Sequence, residues 1–397
     1  MPINMQSIII LLAALTAMAP LAIDAYLPAM PTMASQLDRP IHDVEISLSV
    51  FLAGFALGQL LGGPLSDRLG RRRIIFTGIS FFSLGSLGII LSDSMTSIWL
   101  WRVLQALGGG MAIVNSAAVI RDISSGRESA RYLSQMAIIM MIAPLLAPMI
   151  GMVLLHLAGW RAIFLFLLIY GVVLGLLLFR FLPETRQQLT VGNALQRYLS
   201  VLRHRQAMGF LVAQCFAYGS LFTFITASPG VYMNFFGVSE TLYPFLFGAN
   251  VIIMIAANRL NMQLLNYFSP PQLLNRGQLL QLSIGSLLLA YVWWADTQLL
   301  FVVVLGIMLF IGFQGLIVAN AIASTVEFFP ESAATATALL GACGFLTGAA
   351  SGWLVTTLSD GSALPMIFVM TLCALSGWFL KTLIQSTGKS LHNFSPD

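Results

Sequence analysis

Charge is what this chain has least of. Only 9% of its 397 residues are Asp, Glu, Lys or Arg, while 58% are hydrophobic and the mean hydropathy is +0.88. A soluble domain carries about a quarter charged residues, so a water-facing exterior is excluded. Cysteine and histidine are nearly as sparse. Cys215, Cys343 and Cys373 lie singly in apolar runs, and His42, His156, His204 and His392 are scattered. No pair is spaced for metal or redox chemistry, so neither a metal nor a cofactor is expected. The ten-residue alternation of a membrane β-barrel is missing as well. No Lys or Arg precedes Asp38; the first apolar run lacks the basic head of a cleaved signal and reads as a retained helix.

What the chain does have is long apolar runs. Twelve are of spanning length: residues 7–30, 43–66, 74–92, 96–120, 131–155 and 160–182, then 207–230, 238–262, 273–295, 297–322, 332–357 and 363–386. At about 1.5 Å per residue each crosses a core roughly 30 Å thick. The expected fold is an all-α integral membrane protein with both termini on one side. Sixteen of the nineteen Lys and Arg fall in loops or ends on that side, against Arg39 and Arg161 on the other and Arg102 within a span. That bias makes the termini cytoplasmic. The pI of about 9.1 reflects those loop arginines and implies no acidic partner. Nor is nucleic acid expected, because no basic domain with interleaved aromatics surrounds them.

Pro183 to Gln206 is the longest polar stretch, and it divides the chain into an N-terminal bundle (1–182), a cytoplasmic linker (183–206), a C-terminal bundle (207–386) and a tail (387–397). A weak internal repeat supports the cut. Asn115-Ser-Ala-Ala-Val-Ile-Arg-Asp122 is similar to Asn320-Ala-Ile-Ala-Ser-Thr-Val-Glu327, each with an acid seven residues after the asparagine.

Between the second and third runs lies Gly63-x-x-x-Asp67-Arg68-x-Gly70-Arg71-Arg72-Arg73. Gly63, Pro64 and Gly70 suit a tight polar turn there. The spacing resembles the loop signature of the major facilitator superfamily, a class of secondary transporters. The resemblance implies two six-helix bundles around a central cavity that opens alternately to each side. It also implies a cytoplasmic latch in which Gly63, Asp67, Arg68, Gly70, Arg71 and Arg72 engage the start of span eleven near Ser332.

Inside the membrane, Asp24 is the carboxylate lying well within a span, and Arg102 the basic residue within one. Both sit about six residues below the outer surface, roughly 9 Å in, and equal depth lets them pair. Burial disfavours a charged carboxylate and a nearby guanidinium favours it, so a change in water access moves a proton. Arg102 stands in Arg102-x-x-Gln105-Ala106-x-Gly108-Gly-Gly110, which resembles the superfamily's fourth-helix motif, whose arginine is linked to proton coupling; Ala106 replaces the usual Gly. Gln105 shares the arginine's face and could bond a substrate. Span five carries Pro144, Pro148 and Gly151 in a pattern similar to the fifth-helix motif of drug:proton antiporters, with Met152 in place of its second glycine; two prolines four apart make a hinge. The end of span one, Asp24-Ala-Tyr26-Leu-Pro28, together with these motifs resembles the Bcr/CflA branch of twelve-span antiporters.

That resemblance implies export of hydrophobic or weakly polar small molecules from the bacterial cytoplasm, with antibiotic resistance as the outcome. Tyr26, Gln105, Met136, Met140, Tyr218, Phe222 and Phe224 are the expected cavity wall. One titrating carboxylate, a monomer in the inner membrane and a proton gradient as sole energy source complete the expectation. Alternatives on the same scaffold are a proton-coupled importer, or a passive facilitator of a metabolite or siderophore. A membrane-embedded enzyme would need a polar catalytic cluster at one membrane face, and the 183–206 loop has Glu184 as its only acid.

Overall fold

The computed structural model describes residues 5–185, 194–329 and 333–392, and among these every regular element is helical. Among the described residues, eleven helices are long and apolar enough to cross a membrane. A backbone in lipid must satisfy its own hydrogen bonds, and helices that are apolar all round do so. The run expected at 273–295 forms a helix of 25 residues, Pro270–Trp294, but Gln272, Asn275, Arg276, Gln278 and Gln281 leave its first half too polar to join the eleven.

The chain divides into two compact units. The first comprises Met1–Gly192 with Val238–Gly248. It contains α1 (Met5–Asp24), α2 (Met30–Gln36), α3 (Ile41–Leu69), α4 (Arg71–Ile90), α5 (Met95–Ile123), α6 (Gly126–Ala158) and α7 (Trp160–Phe181). Span one, expected to run to residue 30, breaks at Asp24 and continues through a 3-10 turn at Leu27–Ala29 into α2. Glycine seams hold α3, α4 and α5 together. A Cβ added at Gly58 would lie 2.3 Å from the Leu107 carbonyl oxygen, and one at Gly108 would lie 2.3 Å from that of Gly78. Small residues allow this approach where lipid supplies no hydrophobic drive.

The structure corrects the reading of the basic turn. Gly63 and Pro64 are not part of it: α3 runs through both to Leu69, and Gly70 alone makes the reversal. Its φ of +97° and ψ of +149° belong to a region open essentially to glycine. α3 passes through Pro64 without interruption, and the Ser66 hydroxyl donates to the Gly63 carbonyl (2.9 Å).

The second unit comprises Asn193–Gly237 and Ala249–Asp397. Its helices are α8 (Ala194–Arg203), α9 (Arg205–Pro229, continued by a π-helical turn at Gly230–Phe235), α10 (Tyr243–Leu264, whose first residues cluster with the first unit), α11 (Pro270–Trp294), α12 (Leu300–Gly312), α13 (Gln314–Val326), α14 (Ala333–Thr357) and α15 (Leu364–His392). Polar side chains fasten its interior. Asn320 Nδ2 donates to Asn261 Oδ1 (2.7 Å), and Gln314 Nε2 to the Ala217 carbonyl (2.9 Å). Lys381, counted above among the loop cations, is instead buried, its ammonium donating to Asn275 Oδ1 and to Gln278 Oε1 (2.6 Å). The cysteines are not all solitary either: Cys215 of α9 and Cys343 of α14 are neighbours, both as free thiols.

The sequence repeat has a structural counterpart. Asn115 in α5 and Asn320 in α13 are both buried, and each Nδ2 donates to the carbonyl four residues back, at 2.8 and 2.7 Å.

Candidate proton-coupling and substrate site

Asp24 is the last residue of α1, 3% exposed, and its Oδ1 has no hydrogen-bond partner. Arg102 of α5 is fully buried. No ion pair joins them among the described residues. The Arg102 Nη1 donates instead to the Ala22 carbonyl (3.1 Å) and to Gln105 Oε1 (2.8 Å). Its guanidinium lies 4.3 Å from the Tyr26 ring centroid, 4.4 Å from Phe51 and 5.7 Å from Phe164. Ala22 meets Arg102 through its main-chain carbonyl and Tyr26 through its ring, and neither contact involves the Asp24 carboxyl. Aromatic faces attract a guanidinium most strongly once it is desolvated, and the free carbonyls at a helix C-terminus attract a cation. Arg102 closes the end of α1; it does not neutralise the acid that α1 carries.

Gln105, expected on the substrate cavity, has both ends of its amide engaged within the unit: Oε1 accepts from Arg102, and Nε2 donates to Ser86 Oγ (2.8 Å). Tyr26 is equally enclosed, with its hydroxyl 3.2 Å from Ser47 Oγ and its ring on Arg102. Both hold the arginine in place. Met136 is buried on α6 while Met140, one turn on, is exposed. In the second unit Tyr218 and Phe222 cluster with Phe345 at 6.0 and 5.3 Å between ring centroids, and they pack where Gly344 and Gly348 leave room. Phe224 packs on Tyr232, away from that cluster.

In α6 the helix passes through Pro144 and Pro148 without interruption. Gly151 then meets the end of α1 so closely that a Cβ there would lie 1.6 Å from the Ala25 carbonyl oxygen. The presumed hinge residues thus border the turn that follows Asp24.

The α3–α4 turn is an ion-pair network. Arg71 bonds Asp67 (2.9 Å) and Asp122 (3.1 Å), and its Nη1 donates to Ser66 Oγ (2.6 Å). Glu184, from the stretch after α7, accepts from the main-chain N–H groups of Arg71 (2.8 Å) and Arg72 (3.1 Å), supplying the N-terminal cap that Gly70 cannot. The Arg72 side chain donates to the Phe179 carbonyl (2.8 Å) and lies over that ring. Arg68 is exposed. Ser332, the expected latch partner, lies outside the described residues.

A family model described as Major Facilitator Superfamily matches residues 12–352. The chain belongs to the major facilitator superfamily. A bicyclomycin resistance protein homolog of Haemophilus influenzae is 30% identical over 376 residues, 92% of this chain and 93% of that one. A chloramphenicol resistance protein of Pseudomonas aeruginosa is 30% identical over 387 residues, covering 94% and 89%. Among solved structures, a D-xylose–proton symporter superposes with a TM-score of 0.73 at 16% identity, covering 95% of both chains. A human organic anion transporter gives 0.66 at 17%, covering 95% and 99%. These superpositions show the facilitator fold. The chain is therefore a multi-pass membrane transporter of that superfamily, with a turn signature, a fourth-helix arginine and a fifth-helix proline pair.

One residue escaped the sequence reading. Glu45 lies two residues inside the expected start of the 43–66 span, where its type does not mark it as buried, yet it is only 3% exposed.

Proposed function

We propose that this facilitator is a proton-driven exporter of small hydrophobic or weakly polar compounds. It works as a monomer by alternating access in the bacterial inner membrane, with both termini in the cytoplasm. The observation that carries this reading is Asp24: a buried carboxyl at the end of α1 whose Oδ1 has no hydrogen-bond partner and which makes no ion pair with Arg102 among the described residues. A buried charge without a partner is costly, and a carboxyl avoids that cost by taking a proton. Cargo binding from the cytoplasm expels the proton or requires its loss; release outside lets the acid reload. Arg102, held by the Ala22 carbonyl, Gln105 and three aromatic rings, keeps the local field constant through the cycle. Inward flow of one proton supplies about 2.3 kcal/mol per 100 mV for the outward step.

Support for export over import comes from the fifth-helix proline pair and from the resistance proteins at 30% identity, whose printed names make bicyclomycin and chloramphenicol the first compounds to try. Everted vesicles with an acidified lumen provide the test. Adding chloramphenicol or bicyclomycin should release lumenal protons in proportion to uptake, and Asp24→Asn should abolish the release. Proton release that is absent with every carried compound, or undiminished in Asp24→Asn, overturns the reading.

A further inference from the structure

Two carboxyls in the first unit are buried without compensation. Asp24 is one; Glu45, 3% exposed, is the other, with no hydrogen bond or ion pair among the described residues. Phe51, Gly54, Gly58 and Gly62 turn one side of α3 onto α5, and Glu45, nine residues before Gly54, falls on the opposite side. Asp24 likewise makes no ion pair with Arg102 among the described residues, where the guanidinium donates to Ala22 and Gln105. Ser49, one turn from Glu45 on the same side, is also buried, and its Oγ has no partner.

The surrounding charges do not explain Glu45. α3 packs chiefly on α5, with smaller contacts to α4 and α2. α2 has no titratable residue; Arg71, Arg72 and Arg73 of α4, and Arg121 and Asp122 of α5, belong to the far end of α3. Arg102 is held on the α5 side by Ala22, Gln105 and the rings. On α3 and the segment before it, Asp38, Arg39, His42 and Asp43 are the nearest in sequence, and the Asp43 carbonyl is turned to Trp99 Nε1 (2.9 Å). A carboxyl on a buried residue without a bond of its own calls for a reason.

We infer that Glu45 is a second proton-carrying carboxyl, so that each cargo molecule leaves in exchange for two protons rather than one. In the cycle both acids are protonated from outside and both O–H bonds break toward the cytoplasmic side, giving two protons and two carboxylates. The inference rests on the export reading, yet part of its test needs no cargo. Infrared spectra of the purified protein in liposomes, recorded as pH is raised, should lose two components of the carboxylic-acid C=O band. Asp24→Asn should remove one and Glu45→Gln the other, with Asp43→Asn leaving both. In proteoliposomes carrying chloramphenicol, the proton-to-cargo ratio found by balancing the cargo gradient against pH and voltage should fall from two to one in Glu45→Gln. If that variant does not insert, Glu45→Asp keeps the acid and should displace its component without removing it. A wild-type spectrum retained in Glu45→Gln, or an unchanged ratio, or a component unmoved in Glu45→Asp, overturns the inference. Two pH-sensitive components without any proton-coupled transport would instead defeat the export reading and leave the site standing.

Discussion

The guanidinium of Arg102 and the carbonyl of Ala22, 3.1 Å apart, tie α5 to the last turn of α1. That bond, and not an ion pair to Asp24, is how the membrane-embedded arginine is held. Arg102→Lys keeps the charge but loses the planar face that lies on Tyr26 and Phe51. We expect at least a tenfold drop in efflux rate, with Gln105→Leu intermediate because it removes one charge-assisted bond of about 1.5–3 kcal/mol. Drug efflux from loaded cells, normalised to protein in the membrane, measures both.

Gly151 supports the same turn from the other side. Any side chain there meets the Ala25 carbonyl head-on, and backbone cannot step aside as a flexible side chain would. Gly151→Ala should lower thermal stability in detergent by about 1–3 kcal/mol, the usual cost of overpacking. Transport should fall further than stability does, because the displaced residue follows Asp24. Equal activity of Gly151→Ala and the parent would contradict this geometry.

The cap on α4 gives a prediction about stability. Glu184→Ala strips two main-chain N–H groups of their acceptor and should cost about 1 kcal/mol, typical of a lost N-cap. Gly70→Ala should cost more, since its φ of +97° is strained for any side chain and its Cβ would lie 2.5 Å from Glu184 Oε2. Thermal unfolding of the single and double variants should show less than additive losses, because both disturb one contact.

External pH offers a further check. An exporter that reloads protons from outside should slow as the external medium becomes alkaline at constant voltage. Asp24→Asn should show only a residual exchange of cargo, less dependent on external pH than that of the parent. Comparing counterflow of labelled compound at several external pH values separates the two.

Much of this was legible in the sequence because lipid demands long apolar runs and tolerates few charges. The helices fell where the runs were, and Asp24 and Arg102 stood out as charges within them. What the sequence left unread was angular. Depth placed Asp24 and Arg102 at one level, but only the contacts show that the arginine bonds the Ala22 carbonyl and not the acid. Glu45 escaped because distance from a span end was used as a proxy for exposure. Gly63 and Pro64 looked like turn residues by type, yet the helix absorbs them. Cys215 and Cys343 stand 128 positions apart in the chain, a separation no spacing rule reads.

The glycine seams of α3, α4 and α5 have a mechanical consequence. With backbone pressed on backbone at Gly58, Gly108 and Gly110, no slack exists for these three helices to slide past one another. They form a stiff plate, and any rearrangement that follows a proton or a drug has to bend the chain elsewhere, at places such as the broken end of the first helix.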